Sequence, residues 1–133
     1  MRYAISYVST ANKDLLEQGV SEIMQETNNY NNGQEITGIL LYNERSFFQL
    51  IEGEKFIIQN LYEKILKDSR HHDIIKFLEK PVHRPAFDGY LTDFITDTNK
   101  FDPEQLKDYL HYIEVLDPES RKSLERVIEL MMI

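Results

Sequence analysis

A chain of 133 residues with 41% hydrophobic and 29% charged side chains has the size and composition of one compact domain with a core of its own. Its net charge of −8 repels a phosphate backbone, and its Lys and Arg form no basic stripe, so no nucleic acid is expected as a partner. The absence of cysteine excludes disulfides, thiolate metal sites and a covalent link from sulfur to a cofactor, and no stretch has the apolar length of a signal peptide or membrane span, so a cytoplasmic protein with no membrane partner is expected.

Residues 2–8 set Tyr3, Ile5 and Tyr7 against Ala4, Ser6 and Val8, the period of a strand. Ser9-Thr10-Ala11-Asn12 offers capping side chains ahead of a helix that carries Leu15, Leu16, Gly19, Val20, Ile23, Met24 and Thr27 on one face. Asn28-Asn29-Tyr30-Asn31-Asn32-Gly33 then predicts a loop. Residues 36–42 and 46–52 are β-prone runs joined by Asn43-Glu44-Arg45, which predicts an antiparallel hairpin broken by Gly53-Glu54. Phe56, Ile57, Leu61, Tyr62, Ile65 and Leu66 predict a second helix ending near Asp68.

Further strands are expected at 74–78 and 90–95, on either side of a Pro-marked segment at 81–85. The order βαββαββ, with two helices on one face of a mainly antiparallel sheet, is the ferredoxin-like arrangement of an α+β domain. Asp102-Pro103-Glu104 and Asp117-Pro118-Glu119 open two short C-terminal helices. The second bears an apolar stripe of Leu124, Val127, Ile128, Met131 and Met132 that needs a cover, and a homo-oligomer is one way to supply it.

The motifs of common enzymes are missing: no phosphate-binding Gly loop, no His-Glu-x-x-His and no Gly-x-Ser-x-Gly elbow, so no enzyme is expected. Adjacent His71 and His72 make a poor metal pair, and no metal site is expected. Glu52 and Glu54 read as solvated or capping carboxylates rather than paired acids. Three polar residues stand out on elements expected to be neighbours: Tyr7 on the first strand, Asn31 after the first helix and Gln49 on the third strand. Each needs a partner if buried, and each alone reads as structural before functional.

Together with their surroundings these residues resemble a known family. Ile5-Ser6-Tyr7-Val8-Ser9, Asn31 followed by Ile36-Thr37-Gly38-Ile39-Leu40-Leu41-Tyr42, Phe47-Phe48-Gln49-Leu50-Ile51-Glu52-Gly53-Glu54, and Asp68-Ser69-Arg70-His71 are similar to the BLUF family of blue-light sensors that use flavin, in register from about residue 2 to 94. The resemblance implies a flavin-binding domain over residues 1–97 and a helical cap over 98–133, as in the family's short members. It implies one flavin held non-covalently, FAD with FMN or riboflavin as alternatives, between walls of Ile23, Thr27, Leu40, Phe48 and Ile65. Asn31 would bond the ring's polar edge, and Arg70 and His71, with Asp68 beside them, would meet its phosphates.

The mechanism so implied has light drive an electron from Tyr7 to the flavin and a proton through Gln49, after which the pair recombines with the amide rearranged and the flavin absorption shifted to the red. A carboxamide suits that role because exchanging its ends swaps donor for acceptor without backbone movement. Tyr90 stands where many members have Trp and Thr92 where Met is usual, so both are expected to modulate the photocycle. With no effector on the chain, the signal would pass to a downstream protein partner or through oligomeric state. Two other readings are an acylphosphatase-like enzyme, for which Arg70 and the Asn-rich segment are not expected to converge, and a flavin-free interaction module of the same fold.

Overall fold

The computed structural model describes residues 1–83, 90–95 and 102–132. Five strands and four helices follow in the order β1 (Arg2–Ala11), α1 (Glu17–Gly33), β2 (Thr37–Asn43), β3 (Ser46–Glu54), α2 (Lys55–Lys67), β4 (His71–Pro81), β5 (Tyr90–Phe94), α3 (Pro103–His111) and α4 (Pro118–Met131). The strands form one sheet in the order β4-β1-β3-β2-β5. Every pairing is antiparallel except β2 with β5. The α+β, ferredoxin-like architecture is therefore the one the sequence predicts.

Strand alternation sorts the sheet into two faces. Tyr3, Ile5 and Tyr7 of β1, Leu40 of β2 and Phe47 and Ile51 of β3 pack with Val20 and Met24 of α1 and Ile58 and Tyr62 of α2. Ala4, Ile39, Leu41, Phe48 and Leu50 pack on the opposite side with Tyr109, Leu124 and Ile128 of the C-terminal helices. The apolar stripe of α4 is thus covered by the chain's own sheet, and the reason for expecting a second copy there falls away. The boundary expected at 97/98 and the end of the Pro-marked segment, residues 84–85, lie outside the described residues.

Several boundaries differ from the sequence reading. β1 runs on to Ala11, since Thr10 and Ala11 pair with His72 and His71. The polar residues at 9–12 therefore do not cap α1, which starts behind Leu16 with no side-chain cap. α1 continues through the Asn-rich segment to Gly33, where a loop was expected. Its buried residues Val20, Met24 and Asn31 are spaced as one helical stripe, and packing of that stripe outweighs the modest helix propensity of Asn. β3 passes through Gly53 to Glu54 because Tyr3 and Arg2 of β1 still pair with them.

Glu54 then caps α2, accepting from the backbone N–H of Phe56 and Ile57. Glu52 departs from its expected solvated state. It is 1% exposed, takes two bonds from the Arg2 guanidinium at 2.9 and 2.7 Å, and accepts from the Thr37 hydroxyl at 2.6 Å.

Candidate functional site

A cavity of about 300 Å³ opens between α1 and α2 above the β1–β3–β2 part of the sheet, within the size range of small-molecule sites. Its walls hold Ile23 and Thr27 of α1, Leu40 of β2 and Ile65 of α2, all four predicted from sequence. Tyr7, Gln49 and Asn31 reach it from β1, β3 and α1, and Asp68, Arg70 and His71 lie at its rim beyond α2.

Phe48 is a correction. It lies in the core against the C-terminal helices, and its neighbour Phe47 supplies the aromatic wall. Side chains of consecutive strand residues point to opposite faces, so the residue before Gln49 cannot share its side of the sheet. The sequence reading also missed Tyr30 and Glu26 on α1 and Leu61 and Lys64 on α2. Their signal was the helical spacing: residues 23, 26, 27 and 30, and 61, 64 and 65, each form a stripe around positions already chosen.

The polar floor is connected. Tyr7 Oη donates to Gln49 Oε1, and Gln49 Nε2 donates to Tyr90 Oη. Burial pushes the Tyr7 phenol well above its ordinary pKa. It does the same to Tyr90, against the neighbouring amides of Gln49 and Asn31. Both phenols therefore hold their protons and can act as donors. Tyr62 of α2 packs on Tyr7 with ring centroids 5.9 Å apart. Thr92, on the same face as Tyr90 and in register with Leu40, is half-buried beside this group and does not line the cavity.

At the rim Arg70 is committed. Its Nη2 meets Asp68 Oδ2 at 2.7 Å, its Nε meets both Asp68 oxygens, and Nη1 reaches Glu26 at 3.3 Å. The Arg70 bond holds the Asp68 carboxyl below its usual range, and the Asp68 bond raises Arg70 in turn. His71 spends both ring nitrogens internally, on the Ser9 hydroxyl and the Ile65 carbonyl, each at 2.7 Å. Arg70 and Asn31 line one cavity, against the expectation that they would not converge. Even so, the guanidinium there is already occupied by carboxylates, which disfavours an anion-wrapping phosphatase loop.

Asn31 tests the fit of a flavin. Its amide nitrogen and oxygen are both buried with no hydrogen-bond partner, although the residue is 0% exposed. An orphaned buried amide costs about 1–3 kcal/mol, and it faces the cavity. It presents one donor and one acceptor side by side, which matches the carbonyl and N–H edge of an isoalloxazine ring. The apolar walls suit the ring's faces, so the residues present fit a flavin. Among the described residues no group of three His, Cys, Asp or Glu could hold a metal ion, and no helix is long and apolar enough to cross a membrane.

The family model described as sensors of blue light using FAD, BLUF, matches residues 3–92. A photoactivated adenylate cyclase subunit beta of Euglena longa is 35% identical over 83 residues, which is 62% of this chain and 10% of the relative. The blue light- and temperature-regulated antirepressor BluF of Escherichia coli is 33% identical over 78 residues, 59% of this chain and 19% of the relative. This chain thus spans a tenth to a fifth of these two curated relatives. The solved dark-state structure of BlrB, a BLUF protein, aligns with a TM-score of 0.70 at 27% identity, covering 97% of this chain and 96% of the other.

Proposed function

The chain belongs to the BLUF family, sensors of blue light using FAD, and we propose that it holds one flavin non-covalently in the cavity between α1 and α2 and signals light absorption through Gln49. The observation that carries this reading is the unpartnered, buried Asn31 amide facing the cavity floored by Tyr7 and Gln49. Bound there, a flavin supplies blue absorption and, once excited, oxidising power.

The chain's residues do the rest. Tyr7, buried and protonated, would give its electron to the excited flavin and its phenolic proton to Gln49 Oε1, along the bond between them. On recombination Tyr7 would regain both the electron and the proton, leaving Gln49 with its donor and acceptor ends exchanged, so the hydrogen bonds it offers into the cavity would change while the backbone of β3 stays in place. Ile23, Thr27, Leu40 and Ile65 grip the ring and exclude water, with Phe47 in the place first given to Phe48. Since these residues grip only the ring, FAD is the proposed native flavin and FMN and riboflavin should bind as well. Any phosphates would lie at the rim, where Lys64 and the paired Arg70 moderate an acidic surface.

The unit over residues 1–97 is proposed as the sensor and 98–133 as its cap. No substrate is turned over, and the output is a change in association with a downstream protein. The test is to purify the chain, add FAD, FMN or riboflavin, and record spectra before and after blue light. A bound flavin whose absorption shifts to the red and recovers in darkness is expected. Tyr7→Phe and Gln49→Ala should keep the pigment and lose the shift, and a preparation that takes up none of the three flavins would sink the reading.

A further inference from the structure

Gln49 stands between two tyrosine hydroxyls on one face of the sheet that come from strands on opposite sides of β3. Tyr7 is on β1, next to β3, whereas Tyr90 is on β5, with β2 lying between it and β3. Tyr90 pairs with Gly38, which puts no side chain in its way. The three residues are 4%, 2% and 6% exposed for Tyr7, Gln49 and Tyr90, so water does not substitute for any partner the amide lacks. The hydrogen bonds run in one direction, from Tyr7 to Gln49 Oε1 and from Gln49 Nε2 to Tyr90.

A phenol both donates and accepts, whereas an indole N–H only donates. With phenols at both ends, exchange of the amide's ends leaves a complete chain. Gln49 Oε1 then accepts from Tyr90, and Gln49 Nε2 donates to Tyr7. Beyond the turn of the amide itself only the hydroxyl hydrogens rotate, so no net proton is gained or lost. A donor-only side chain at 90 would complete just the exchanged arrangement and would leave Nε2 without an acceptor in the one seen here. A buried donor left without a partner is costly, so the chemistry at 90 biases which orientation the amide holds.

We propose that Tyr90 is a positioning residue whose hydroxyl gives the Gln49 amide a partner in either orientation and, by accepting from Nε2, fixes the orientation held in the dark. The dark-state part rests on the flavin reading above, whereas the hydrogen-bond bracket does not. Two measurements separate them. In the flavin-free chain labelled with ¹⁵N-glutamine, with the Gln49 signal assigned by its loss in Gln49→Ala, solvent exchange of the Nε2 protons reports the acceptor. Tyr90→Phe, which keeps the ring, should speed that exchange about tenfold, the effect of one lost hydrogen bond. Tyr90→Trp should do the same, being unable to accept.

Exchange within about twofold of the parent in both folded variants would overturn the bracket, since a packing role predicts no change in Phe. In the flavin-loaded chain, Tyr90→Trp should move the dark absorption toward the illuminated position and shrink the light-induced shift. A parental dark spectrum in that variant would overturn the orientation role. A chain that takes up no flavin sinks the functional reading, and the exchange experiment still decides the bracket.

Discussion

Asn31 carries an amide that the free protein leaves buried and unsatisfied, a cost that a folding-only selection would have removed. Asn31→Leu, nearly the same size, should raise the melting stability of the flavin-free chain by about 1–2 kcal/mol and weaken flavin binding at least about tenfold. Paired thermal melts and flavin titrations check it; weaker stability together with unchanged affinity would show that Asn31 has a structural partner instead. The two neighbouring phenylalanines should part company in the same assays. Phe48→Ala cuts into the core beneath the C-terminal helices and should cost about 3–5 kcal/mol of stability. Phe47 is buried in the other cluster, so Phe47→Ala should cost stability too but should in addition loosen the flavin. Thr92→Met, with a longer apolar side chain beside Leu40, should slow dark recovery by limiting the access of water to Gln49.

Gly38 and the β2–β3 turn show how the strands are held in register. Gly38 has φ +139° and would place a Cβ 1.9 Å from the Leu50 carbonyl oxygen, so Gly38→Ala must displace backbone. It should cost more than an ordinary surface change, and Tyr90 opposite should lose its seat. Denaturant titration and Gln49 exchange would both register it. Glu44 and Arg45 take positive φ of 46° and 74°, as a two-residue turn of a twisted hairpin requires. Arg45 is held there by its own side chain, which donates to the Leu15 carbonyl at 2.7 Å.

The Asp68–Arg70 pair adds a pH dependence. Asp68 is held below its ordinary value of 3.8 by Arg70. Its stabilisation is therefore present above that value and lost as pH falls through the lowered one. The acid limb of stability should flatten in Asp68→Asn, and an unchanged limb would deny the pair this role.

Much of this element scale was legible in the sequence because period-2 and period-3.6 patterns survive folding. Tyr7, Leu40 and Gln49 fell on the right strands, and Ile23, Thr27 and Ile65 on the right faces. The misses had tertiary causes. Strand ends depend on whether a partner strand continues, as for Thr10 and Ala11, and the helical fate of Asn31 depends on the stripe it completes. Phe48 belongs to the opposite face by the alternation that the neighbouring Gln49 dictates.

At the scale of the molecule the sheet divides a site from a cap. The α1–α2 face holds the cavity, and the other face is closed by α3 and α4. Lys80 of β4 ties into the start of α4, bonding Asp117 at 2.7 Å and the Ser120 hydroxyl at 3.0 Å. Among the described residues, a change at Gln49 therefore has to cross the sheet to reach the cap. Illumination should speed amide exchange in β5 and α3 more than in central β1 and β3, and uniform protection by mass spectrometry would place the route elsewhere.

β5 has five residues and, among the described residues, pairs on one side only, with β2. It turns Tyr90 toward Gln49, and on the other face its Asp93 accepts from the Tyr109 hydroxyl of α3 at 2.6 Å. Sliding β5 along β2 by one position would carry every odd residue to the even side, setting the Asp93 carboxylate against the cavity and Tyr90 against α3. Sliding by two would keep the parity but pull both hydroxyl contacts about 7 Å out of reach. Translation along the ladder is thus closed at small steps, and the remaining motion is lateral. A change in β5 is therefore expected to lift it from β2 rather than slide it, which gives an outermost strand a yes-or-no vocabulary rather than a graded one.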